Sequence, residues 1–198
     1  MNAARTVRGF TLGLIALAVA ACGTTAPARF YTLDATATAT GAPLAHGAVL
    51  VEPVTIPAAV DQPEFVVRIA DNRVAVDEFN RWVAPLGDGI ARAVAGDLTV
   101  LLGSANVAVA PLANFAPDYQ VSINVQRFES RPGDAALLDA VWTVRQTASG
   151  VTRSGRTVAR QAVVGQDYAA LAAAHSRALA VMSGDIAAAI RAEAEMRP

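Results

Sequence analysis

One cysteine, two histidines and no lysine stand among the 198 residues of this chain, and each shortage removes a class of function. A lone thiol builds no disulfide framework. The histidines, His46 and His175, lie far apart, and neither has a second imidazole, a thiol or a carboxylate at metal-ligand spacing. There is no G-x-S-x-G elbow, and no serine stands near a histidine in a way that marks a catalytic triad. All 16 basic residues are arginine, against 17 acidic ones. That near-neutral balance argues against nucleic acid as a partner. Arginine-only basic residues with abundant alanine reflect a GC-rich coding sequence more than a function. Long apolar runs are also missing: Phe10 to Ala20 is eleven residues, whereas a membrane-spanning helix needs about 20.

That short run makes sense as part of an export signal. Arg5 and Arg8 supply a positive start, the apolar stretch follows, and the small residues Ala20 and Ala21 open the backbone to cleavage immediately before Cys22. A thiol at that position is the acceptor for a diacylglycerol. The chain therefore reads as a signal peptide over 1–21, a lipidated tether over 22–28 and one domain over 29–198. Removing the signal takes away two arginines and no acid, so the net charge moves from −1 to −3. Gly23 stands where an aspartate commonly retains lipoproteins in the inner membrane, which points to the inner leaflet of the outer membrane, facing the periplasm. With Cys22 acylated no thiol is left for redox work, and no other cofactor is expected.

Periodicity predicts the rest. Arg29 to Leu33 reads as a first strand, Ala35 to Gly47 as a loop of small residues, and Ala48 to Ile56 as a strand stopped by Pro57. Glu64 to Ala70 and Arg73 to Asp77 form a hairpin about Asp71-Asn72, with Asp77-Glu78 read as a solvated turn. Leu86, Ile90, Val94, Leu98 and Leu101 define a helix that Pro85 opens and Gly103 ends. The Gly87-Asp88-Gly89 triplet lacks a third glycine and a preceding strand, so it belongs to that helix start. Asn106 to Ala110, the alternating run from Tyr119 to Val125, the stretch through Val141 to Val144 and Arg156 to Val164 are strands. Tyr168, Leu171, His175, Leu179, Met182, Ile186 and Ile190 make a second helical stripe. The fold class is α/β (α+β): a single domain, one mixed β-sheet with two main helices packed on it.

Nothing in this pattern argues for catalysis. Phe65, Phe79, Trp82 and Phe115 sit near turns or element ends, where such rings either fill the core edge or form a contact surface. The segment Asp77 to Trp82 combines charge with two large rings just before a helix. Phe79, Arg81 and Trp82 are its candidate partner-binding residues, since arginine and tryptophan are enriched at interface centres.

The residues Phe30-Tyr31-Thr32-Leu33, Val51 to Pro57, Gln62 to Arg68, and Arg81-Trp82-Val83-Ala84-Pro85-Leu86 resemble the ABC-type transport auxiliary lipoproteins, the PqiC-like group, whose signature includes R-W-x-x-P-L. Val121 to Phe128 and Trp142 are similar to that family's later strands. Ala59 and Val60 stand where the family carries tyrosine and leucine, and Gln62 where arginine is common. The resemblance implies an accessory role in lipid transport beside an MCE-domain protein and a permease, often with an ATPase. This chain carries no ATP motif, so energy and channel fall to other subunits. A stand-alone periplasmic lipid-binding lipoprotein or an envelope scaffold is the alternative, and a homo-oligomer fits a tubular partner.

Overall fold

The computed structural model describes residues 26–44, 47–104 and 106–195; the expectations for Cys22, Gly23 and His46 lie outside them. Eight strands form one mixed sheet: β1 (Arg29–Tyr31), β2 (Val49–Val51), β3 (Glu64–Ala70), β4 (Arg73–Trp82), β5 (Val107–Val109), β6 (Tyr119–Arg131), β7 (Ala135–Gln146) and β8 (Thr152–Ala162). Among the described residues two α-helices, α1 (Leu86–Leu102) and α2 (Tyr168–Glu195), complete the α+β domain.

Strand β6 organises the sheet. Its alternating residues Tyr119, Val121, Ile123 and Val125 are buried while Ser122, Asn124 and Gln126 face out, as a sheet with one covered face requires. Along one edge β6 pairs with β7, and β7 in turn with β8, in unbroken antiparallel ladders apart from a bulge at Val125/Arg127. Along the other edge the sheet forks. The start of β6 takes β2 in parallel, and β2 takes β5. Its far end meets β3 at one register position, Val67 opposite Ser130, and β3 carries β4 and then β1.

Both helices pack on the same face. Pro85 sits at the start of α1 with an extended backbone, and Gly103 ends it at φ 60°, ψ 30°, its N–H returning to the carbonyls of Thr99 and Val100. That left-handed conformation is open to glycine at little cost. Leu86, Ile90, Val94 and Leu98 of α1 and Leu171, Leu179, Met182, Ile186 and Ile190 of α2 are buried against the sheet. The glycines of the α1 start serve packing: a side chain at Gly87 would meet the Val54 carbonyl at 3.1 Å. Trp142 lies across Gly155 on the neighbouring strand, where an added methyl would come within 2.2 Å of its ring. Its Nε1–H reaches Thr157 Oγ1 at 3.0 Å, and Thr157 donates to Asp185.

The described part of the Ala35 to Gly47 segment, residues 35–44 and 47, is a loop, as its composition predicts, but it is stapled down. Fully buried Asp97 of α1 accepts the N–H groups of Thr36 and Ala37 at 2.8 Å each and the Ser183 hydroxyl at 3.1 Å. Burial raises the Asp97 carboxyl above its ordinary pKa despite these bonds. Arg191 of α2 donates to the Thr40, Ala42 and Leu101 carbonyls. The expected turn at Asp77-Glu78 is instead strand: β4 continues to Trp82. The register jumps from Phe65 opposite Asp77 to Glu64 opposite Arg81, so the extra residues bulge out of the ladder.

Candidate functional site: the uncovered face of the sheet

Among the described residues, no α-helix covers the second face of the sheet; a single 3₁₀ turn, Ala58–Val60, lies against β3. The β4 bulge decides which side chains of the strand reach this face. Asp77 Oδ1 accepts the N–H groups of Phe79 (2.9 Å) and Asn80 (3.0 Å), so a carboxylate replaces the missing ladder partners. Desolvation raises the Asp77 carboxyl, but hydrogen bonds from Tyr168, Asn80 and these two backbone groups outweigh it and hold it below the usual range. Asp77 thus serves to shape the strand.

Beyond the bulge the alternation of a strand decides which side chains emerge. Asn80 and Trp82 point inward; Phe79, Arg81 and Val83 follow at every second position on the outside, beside Phe30, which β1 sets opposite Arg81. Phe79 is 40 % exposed, Phe30 61 % and Val83 60 %. Arg81 pairs with Glu64 of β3, and its Nε is buried without a partner. Trp82 does not share this surface. Only 7 % exposed, its ring stacks on Phe65 with centroids 4.0 Å apart and meets Phe128 and His175 edge-on at 6.2 and 6.4 Å. The expected Arg81-Trp82 surface pair is therefore corrected: one residue faces out and its neighbour supports it from within. Phe30 and Val83 are the exposed apolar neighbours of Arg81. Reading the Phe79-Arg81-Val83 alternation through the tryptophan was the signal available for Val83.

Two clefts flank the connection from Trp82 to Leu86. One, of about 370 Å³, lies between β1 and α1 and is lined by Tyr31, Leu33, Val83, Gly89 and Arg92. The other, of about 330 Å³, is lined by Asp61, Gln62, Pro63, Val83 and Pro85. Val83 is the ridge between them.

Further along the same face, charges alternate across four strands. Glu129 of β6 receives Arg68 through two bonds of 3.0 Å, Arg127 at 2.8 and 3.1 Å, and Arg131 at 3.4 Å. Desolvation raises the Glu129 carboxyl, and the hydrogen bonds and charges of Arg127 and Arg68 more than reverse it. Asp139 of β7 is held bidentately by Arg156 of β8 at 2.7 and 2.8 Å, which lowers its pKa.

The structure also brings together one pair that sequence spacing could not show. His175 Nε2 and Ser130 Oγ lie 2.8 Å apart across 45 residues. The imidazole is fully buried, its Nδ1 has no partner, and desolvation drives its pKa down to about 3. Ser130 is 3 % exposed. A base that weak, fully buried and with no orienting group behind it, is a core contact, and nothing among the described residues points to catalysis. Among the described residues no cluster of three His, Cys, Asp or Glu is placed to hold a metal, and no helix is long and apolar enough to cross a membrane.

The described residues make one α+β domain, an eight-stranded mixed sheet with both α-helices on one face. The family profile of the ABC-type transport auxiliary lipoprotein component matches residues 31–187, and the chain belongs to that family. Two solved structures share the fold. A Xanthomonas campestris protein of the DUF330 family is 23 % identical with a TM-score of 0.68, over 81 % of this chain and 93 % of its own. An uncharacterized protein is 20 % identical with a TM-score of 0.69, over 83 % and 99 %. No curated protein matches.

Proposed function

We propose that this chain is the membrane-anchored docking subunit of a lipid transport system. In this reading Cys22 carries the lipid, the domain stands in the periplasm on the inner leaflet of the outer membrane, and an MCE-domain protein with its permease is the partner. Family membership supports the transport role, and the observation that carries docking is the uncovered sheet face with Phe30, Phe79, Arg81 and Val83 at its edge. Arg29 opens β1 seven residues after Cys22, a reach of at most about 25 Å. A partner engaging that edge is held close to the membrane. The helix–sheet interface is filled by Trp82, Phe128 and His175 in mutual contact, which favours docking over carriage of a lipid inside the domain. Copies of the chain arranged around a tubular partner suit the same geometry.

Three results are expected. Cys22→Ser releases the protein from the membrane pellet into the soluble fraction; a variant that stays in the pellet without partners removes the anchor from the reading. Affinity purification of the full-length protein from mild-detergent envelope extract recovers an MCE-domain protein. Phe79→Asp lowers that recovery at least about ten-fold, the effect of losing one central interface ring, and leaves thermal stability within about 0.5 kcal/mol. Intact, membrane-bound protein that recovers no MCE-domain protein overturns the assignment.

A further inference from the structure

The fork in the sheet leaves an opening. Thr55 bridges β6 at Asn124 and β3 joins it at Ser130, so among the described residues no strand pairs with the β6 edge between them, and the Ala58–Val60 turn lies beside that gap. A slot of about 190 Å³ lies there, lined by Val60, Val66, Val74 and Phe128 under Pro57, with Arg68, Arg127 and Glu129 as its charged residues. The apolar surface continues past the slot: Val74 and Val76 are 53 % and 50 % exposed.

Charge and size together select an occupant. Arg68, Arg127, Arg131 and Arg156 face Glu129 and Asp139, which leaves two positive charges uncompensated. The Arg127 and Arg131 side chains remain 48 % and 36 % exposed beside Glu129, so guanidinium N–H groups that Glu129 does not use are open to carboxylates. A slot of about 190 Å³ suits one branched aliphatic side chain. A lipid would leave most of its acyl chain in water.

We propose that the fork is the docking point for an acidic segment of a partner protein, one leucine-sized side chain entering the slot while neighbouring carboxylates meet Arg127 and Arg131. This rests on the docking reading above and gives the partner's chemistry. It places the anchor pocket on the same sheet face as Phe79 and Arg81.

The test uses the full-length lipoprotein in nanodiscs and a fluorescein-labelled glutamate-rich peptide with one central leucine, read by fluorescence anisotropy. The acidic peptide is expected to bind at least ten-fold more tightly than versions with lysine for glutamate or serine for leucine, and more weakly as salt rises. Ala59→Trp, which fills the slot mouth, and Arg127→Glu each weaken it at least ten-fold; Ala59→Trp does so with an unchanged melting temperature, which covers the chance that Arg127→Glu unsettles the charge network. Equal binding of the lysine peptide, or no loss with Ala59→Trp, overturns the proposal. So does a dimer that Ala59→Trp dissolves while no peptide binds, which would make a second copy the occupant, or decanoate binding where the peptide does not. Peptide binding without MCE-domain recovery would sink the transport partnership and leave the slot standing; recovery without peptide binding would do the reverse.

Discussion

Trp82→Ala is expected to destabilise the domain by about 3–5 kcal/mol, the range for removing a large buried ring. The indole is the centre of an aromatic cluster that ties β4 to β3, β6 and α2: it stacks on Phe65, and Phe65 in turn meets Tyr31 and Tyr168 edge-on at 5.4 and 5.1 Å. Phe128 extends the cluster to His175, against which it lies at 3.8 Å and 8°. Alanine leaves a void bordered by rings that cannot collapse without moving three strands. For a domain of this size the loss is roughly 6–20 °C in melting temperature. Thermal unfolding followed by circular dichroism reads it directly. A folded, equally stable Trp82→Ala domain that fails to recover its partner would instead return Trp82 to the interface. Phe79→Asp is the control, since its ring adds little to the core.

That contrast shows how far the residues alone could be read. Helices α1 and α2 were legible because four- and three-residue spacing is local, and Pro85 and Gly103 mark the limits of α1 by their own backbone preferences. The β6 to β8 ladder was legible from alternation, though β8 begins at Thr152, earlier than Arg156, because a polar edge strand carries little apolar signal. What defeated the reading at β4 was a register shift. Asp77-Glu78 has turn composition, yet Asp77 caps the bulged N–H groups and the strand runs on, which turns Trp82 inward. The slot was beyond reach for a different reason. Its walls come from residues 57–60, 66–74 and 126–130, and only the fork in the sheet brings them together. Spacing along a chain carries no information about such a meeting, nor about Ser130 and His175.

His175 leads to the second large effect, a loss of stability on mild acidification. Its imidazole titrates near 6.5 when unfolded and at about 3 in the fully buried site. Above pH 6.5 neither state carries the proton, so the residue gives no pH dependence there. Between 6.5 and 3 the unfolded chain binds a proton that the folded chain refuses, so stability falls as pH falls, by about 1.4 kcal/mol per pH unit. The loss is about 2 kcal/mol by pH 5. The groups facing the ring are Ser130 and Phe128 from β6 and Trp82 from β4, and none of them titrates in this window. The carboxylates held low, Asp77, Glu129 and Asp139, contribute loss only at more acidic pH. Asp97, held high, acts in the opposite sense, because its folded form accepts a proton first. Urea unfolding of wild type and His175→Gln at pH 7.5, 6 and 5 isolates the term. The variant starts less stable, having lost the stack on Phe128, but its stability is expected to decline less by about 2 kcal/mol between pH 6.5 and 5. Parallel curves for the two proteins would mean that the folded state protonates His175 as readily as the unfolded chain does. The Ser130–His175 contact would then have to be open to solvent, and the case against a catalytic pair would have to be made again.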